Sequence, residues 1–146
     1  MVAKRTRRWQ WVMVGSVALG LVIGYSMLQA ARAKAVSLTC ASSICSICFG
    51  GMLYAQDHGG LFPTNFTSFQ AELNTPKILR CFGEPSRPQA QNWKEFSETN
   101  SSYEIVNPGL REDATNDVFI RCRVHGHLGY PDGTVFDGVR RRGKNS

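Results

Sequence analysis

The stretch CRVHGHLGYPDG, residues 122–133, places one cysteine, two histidines and one aspartate within twelve positions. Cysteine thiolates and histidine imidazoles are the usual protein ligands of zinc, and Cys122-x-x-His125 has ligand-like spacing. Cys45-x-x-Cys48 offers a second pair, so Cys45, Cys48, Cys122 and His125 form a possible four-ligand zinc set. The same region admits hydrolase chemistry, with His125 or His127 as base, Asp132 as its orienting partner, and Ser101 or Cys122 as nucleophile. Cys45 and Cys48 also have the spacing of a thioredoxin-like redox pair, a motif that works at a helix N-terminus.

The elements that must carry these residues argue for a plainer reading. Residues 29–56 contain no proline, and Val36, Cys40, Ile44, Ile47, Cys48, Gly51, Met52 and Ala55 recur at three- and four-residue steps. That spacing predicts one apolar helical stripe. Cys45 and Cys48 then lie in mid-helix, without the turn that presents paired zinc ligands, and Cys48 reads as a small buried hydrophobe. "DHGG" ends the helix, with Gly59 suited to the left-handed residue beyond it and His58 placed to meet the last carbonyls. One helix over about residues 9–57 is expected. Beyond it, "TSFQAEL" predicts a short helix capped by Thr67 or Ser68, and 77–81, 101–107, 117–124 and 134–139 predict strands. Gly126, Gly129 and the pair Asp132-Gly133 give "HGHLGYPDG" the composition of a hairpin connection, with Cys122 inward and the histidines on the loop. No nucleophile elbow or oxyanion-hole pattern accompanies the histidines. The reading adopted assigns no catalytic residue, no metal and no cofactor, and the chain is expected not to be an enzyme.

Charge and hydropathy organise the rest. The net charge of +6 sits at the ends: Lys4, Arg5, Arg7 and Arg8 on one side, Arg140, Arg141, Arg142 and Lys144 on the other. Residues 9–139 hold nine Lys/Arg against eleven Asp/Glu, so a basic nucleic-acid-binding face is not expected. Residues 9–28 carry no charge over twenty positions, about the length of a bilayer-spanning helix. The preceding basic cluster places the N-terminus in the cytoplasm, and Trp9, Trp11 and Tyr25 suit the interfaces. The organisation expected is a basic cytoplasmic tail (1–8), a transmembrane helix (9–28), an extracytoplasmic domain (29–139) and a basic disordered tail (140–146). The alternative is a secretory signal cleaved in "ARAKA" near Val36, which releases a small binding domain stapled by a disulfide or zinc. A lipoprotein anchor at Cys40 fits poorly, because "SLTC" lacks the small residue before the cysteine. Gly20-x-x-x-Gly24 has the spacing of a helix-pairing motif.

The run "ARAKAVSLTCASSICSICFGGMLYAQDHGGLFP", followed in order by "ILRC", "SSY" and "H…YPDGTV", resembles bacterial pseudopilin-like (type II secretion, prepilin-type) proteins of the verrucomicrobial and planctomycete kind. The resemblance covers about residues 28–139. The prepilin-peptidase signature is absent, and "SSICSIC" and "CFGEP" stand where the family has Asn-Leu-Lys-Gln and Cys-Pro-Ser-Asp. The resemblance implies an α+β fold in which a long N-terminal helix, membrane anchor continuing into amphipathic helix, packs on a small antiparallel sheet. It also implies a single-pass inner-membrane protein with its domain on the periplasmic side. The implied role is structural or interactive, in homo-oligomers or with other pseudopilin-like proteins. It places the strands of Cys81 and Cys122 in one sheet, and makes these two cysteines a disulfide candidate in an oxidising compartment. Major type II pseudopilins hold calcium in a C-terminal loop. Here Asp113, Asp117, Asp132 and Asp137 match no such loop.

Overall fold

Residues 1–57 contain no proline, so nothing removes a donor from the i→i−4 ladder, and a single helix forms: α1, Ala3–Asp57. The structure is a computed structural model that describes the backbone of residues 3–138 and 141–142 and the side chains of 15, 16 and 19–138. Helix α1 begins before the expected residue 9, because Lys and Arg are good helix formers. It ends as the glycines require. Gly59 and Gly60 both have positive φ, and the Gly60 N–H donates to the Ala55 carbonyl at 2.8 Å. His58 Nδ1–H donates to the Tyr54 carbonyl at 2.8 Å while its ring stacks on Tyr54 at 3.7 Å.

The chain divides into two compact units, Met1–Ala35 and Val36–Ser146. In the first, every residue from 19 to 35 is exposed, including Leu19, Leu21, Val22, Ile23, Tyr25, Met27 and Leu28. A Cβ added at Gly20 or Gly24 would meet nothing within 4 Å. Helix α1 is long and apolar enough over Leu19–Asp57 to cross a membrane and lies near the N-terminus. It fits a membrane anchor or a signal sequence.

The second unit is built on the expected stripe. Cys40, Ile44, Ile47, Cys48, Gly50, Gly51 and Ala55 are buried, while Val36 and Met52 are half-buried. Over the stripe's lower end lie Phe62, Phe66, Phe69 and Phe119, all at 1% exposure or less. Phe66–Phe69 forms a single 3-10 turn continued by α2, Gln70–Leu73. Its cap is Asn65, not Thr67 or Ser68: the Asn65 Oδ1 accepts the Ser68 N–H at 2.8 Å.

A five-stranded antiparallel meander covers the rest: β1 (Tyr103–Ile105), β2 (Ile120–Cys122), β3 (Leu128–Gly129), β4 (Val135–Phe136) and β5 (Arg141–Arg142), paired in chain order. The α+β class expected from the sequence is the one the chain adopts. Details differ. The segment expected as a strand over 77–81 is instead a 3-10 turn, Pro76–Leu79, since Pro76 presets a helical φ and Thr75 Oγ1 caps the Lys77 N–H at 3.3 Å. Of the tail expected to be disordered over 140–146, residues 141–142 form β5, whose backbone pairs with β4, and the others lie outside the described residues. The sheet can approach α1 because Gly129 has no side chain. A Cβ there would stand 2.5 Å from Ile44 Cγ2 and 2.6 Å from Cys48 Sγ.

Candidate metal centre

The hairpin expected from residues 122–133 resolves into two turns around β3. Gly126 closes the first at φ 69°, with its N–H donating to the Cys122 carbonyl at 2.9 Å. Gly133 closes the second at φ 75°, with its N–H on the Tyr130 carbonyl at 3.0 Å. Asp132 serves this second turn: its Oδ1 accepts the Thr134 N–H at 3.0 Å and the Thr134 hydroxyl at 2.6 Å.

The histidines do not both stay on the loop. His127 immediately precedes β3 and is 2% exposed, with Nε2 at hydrogen-bond distance (3.2 Å) from Ser37 Oγ on α1. His125 is half-buried in the first turn, its ring stacked against His127 at 5.3 Å. Its Nδ1 lies 3.2 Å from Cys81 Sγ and 3.9 Å from Cys122 Sγ. Cys40 completes the group, and the ligand atoms of Cys40, Cys81, Cys122 and His125 all lie within 4.8 Å of one another. Four elements meet there. Cys40 comes from α1, Cys81 from just beyond the Pro76–Leu79 turn, Cys122 from β2 and His125 from the turn after β2. All three cysteines are fully buried.

Half of the zinc set read from the sequence is therefore present and half is elsewhere. Cys122 and His125 belong to the cluster. Cys45 and Cys48 do not, because their positions on α1 face the other hairpin end: the Cys45 thiol donates to the Gly133 carbonyl at 3.6 Å and Cys48 packs beneath Gly129. Mid-helix cysteines three apart lie on adjacent turns of one element and do not converge with Cys122. The disulfide candidates Cys81 and Cys122 are brought together, but both are free thiols that share their space with a third thiol and an imidazole. Ser101 Oγ accepts the Tyr103 N–H at 3.0 Å and donates to the Tyr103 carbonyl at 2.8 Å, so it is engaged by the neighbouring backbone.

Hydrogen-bond donors converge on the sulfurs. The Gly83 N–H donates to Cys81 Sγ and the His125 N–H to Cys122 Sγ, each at 3.4 Å. Tyr103, paired directly opposite Cys122 in the β1–β2 register, donates its hydroxyl to Cys40 Sγ at 3.7 Å. Gly83 lets the imidazole lie over the chain, since a Cβ there would stand 2.6 Å from His125 Cε1. The thiols divide accordingly. Cys122 accepts the Cys40 S–H and the backbone N–H groups of His125 and Val124, which lowers its pKa to about 5. Cys40, as the donor to Cys122 and a buried group, is held well above the usual thiol range. Burial raises Cys81 and Cys48.

Three sulfurs and one imidazole nitrogen suit a tetrahedral, thiolate-seeking cation. Metal–sulfur bonds of ~2.3 Å imply ligand–ligand edges of about 3.8 Å, close to the 3.2 and 3.9 Å separations of His125 Nδ1 from Cys81 and Cys122. No family model, curated protein or solved structure matches the chain.

Proposed function

We propose that the chain is a single-pass, non-enzymatic membrane protein of pseudopilin-like organisation, whose second unit acts as a structural or interaction module on the periplasmic side of an inner membrane. The observation that carries this is the surface of α1 over residues 19–28. Leu21 and Met27 are each 69% exposed, Tyr25 and Val22 65%, and Leu19 62%. An apolar helix exposed on all sides finds its favourable environment in hydrocarbon. Lys4, Arg5, Arg7 and Arg8 ahead of it favour a cytoplasmic N-terminus. The order of motifs along α1 and the meander supports the pseudopilin-like reading. Ser101 Oγ is bonded to the Tyr103 backbone and Asp132 Oδ1 to Thr134 of its own turn, and the remaining candidates, Cys122 and His125, sit with Cys40 and Cys81, a set that favours holding a ligand over catalysis. Fractionation tests it. The full chain should stay in alkaline-washed membranes at full length, with residues 36–146 digested only when protease reaches the periplasmic face.

A specific observation favours a second reading. The boundary between the two units falls between Ala35 and Val36, at the end of the small-residue run after which a signal peptidase would cut. A mature N-terminus at or near Val36 in the soluble periplasmic fraction would replace the anchored reading with a secreted binding domain.

A further inference from the structure

We infer that Cys40, Cys81, Cys122 and His125 bind one zinc ion that ties α1 to the sheet. This goes beyond the anchored reading and stands whether or not the first unit is retained. The donor set selects the metal: three thiolates and one imidazole are soft to borderline ligands, which favour zinc over the oxygen-seeking magnesium and calcium. Four protein ligands fill a tetrahedron and leave no position for water, the arrangement of structural rather than catalytic sites. The ligand atoms already lie within 4.8 Å of one another, so closure on a metal needs only side-chain adjustments.

The surroundings suit the charge that results. Three thiolates and a neutral imidazole on a dication leave one net negative charge, buried among sulfurs. The Gly83 and His125 backbone N–H groups and the Tyr103 hydroxyl already point at those sulfurs, and donors of this kind fix ligand orientation and strengthen metal binding. On binding, the thiol protons leave to solvent and no redox partner is required. Cys81 is 41 positions from both Cys40 and Cys122 in the chain. One ion thus closes two long loops and pins the helix, the connecting segment and β2 at a single point. The competing chemistry, a Cys81–Cys122 disulfide, would remove two ligands and exclude the metal.

The test uses the full chain in detergent, reduced, stripped with chelator and reloaded with zinc chloride or cobalt chloride. One metal per chain is expected. Zinc K-edge absorption should give three sulfurs at ~2.3 Å and one nitrogen at ~2.0 Å, and cobalt should show thiolate charge-transfer and tetrahedral ligand-field bands. Cys40→Ser, Cys81→Ser, Cys122→Ser and His125→Ala should each lose at least tenfold in affinity, whereas Cys45→Ser keeps the wild-type value. The absorption fit on the unaltered chain decides the matter even if a variant fails to fold. No stoichiometric metal in the reduced, folded chain, fewer than three sulfurs in the shell, or loss of metal in Cys45→Ser would overturn the assignment.

Discussion

Gly83 and Tyr103 show how single residues set the state of the sulfur cluster. The ring of His125 occupies the space where a side chain at position 83 would begin. Gly83→Ala should push the imidazole off Cys81 and weaken zinc retention by roughly 10–100-fold in chelator competition, the range for lost supporting contacts. Tyr103→Phe removes the hydroxyl that reaches Cys40 and should lower stability by ~1 kcal/mol in urea unfolding, one hydrogen bond's net contribution. The metal-free, reduced chain should have a stability optimum in pH. Between the depressed folded value of Cys122, about 5, and the unfolded thiol value of ~8.5, the unfolded chain holds a proton that the folded chain has released. Stability therefore rises with pH across that window. Above it the sign reverses, because Cys40, Cys48 and Cys81 keep their protons in the fold and lose them on unfolding. Urea midpoints should climb from pH 5 to about 8.5 and fall by pH 10; a profile that falls steadily from pH 5 would contradict the assignment of the thiolate to Cys122.

Between elements, the decisive contact is a helix face against a glycine on β3. Gly129→Ala would force a Cβ to 2.5 Å from Ile44 and 2.6 Å from Cys48. Overpacking of this kind costs about 1–3 kcal/mol, so the urea midpoint should drop while Gly126→Ala, which meets no atom within 4 Å but sits at φ 69°, should lose stability through backbone strain alone. The element level also shows what the sequence made legible. The stripe of α1 could be read because its 3.6-residue period is local and uninterrupted, and Gly59 marked its end for the same reason. Three of the four expected strands, 101–107, 117–124 and 134–139, lie over β1, β2 and β4 but were drawn too long, and β3 was read as part of the hairpin connection, since strands of two or three residues have few periods to count. Residues 77–81 looked like a strand because Ile78, Leu79 and Cys81 are apolar; Pro76 and the Thr75 cap decided otherwise. The sulfur cluster was half visible. Cys122-x-x-His125 carries a local spacing, whereas Cys40 and Cys81 each enter alone from distant elements and leave no spacing to detect. Cys45-x-x-Cys48 carried the local signal without the geometry. His127 was misplaced because composition cannot say which of two loop histidines turns inward.

At the scale of the whole molecule, an apolar helix leads into a small domain whose parts meet at three thiols and an imidazole. Leu19 lies at the middle of the expected span 9–28 and is exposed, and Leu19→Arg should cost ~2.5–3.5 kcal/mol in membrane insertion, read as a fall in the alkaline-resistant membrane fraction. The metal contribution should appear as a higher thermal midpoint with zinc than with chelator, since a ligand that binds only the folded state stabilises it. The most direct measurement is native intact mass of the full chain, extracted from membranes without reductant after alkylation of accessible thiols. The expected species is one chain carrying one zinc ion, with Cys40, Cys81 and Cys122 protected from the alkylating agent. A metal-free chain two hydrogens lighter, with Cys81 joined to Cys122, would contradict the zinc centre.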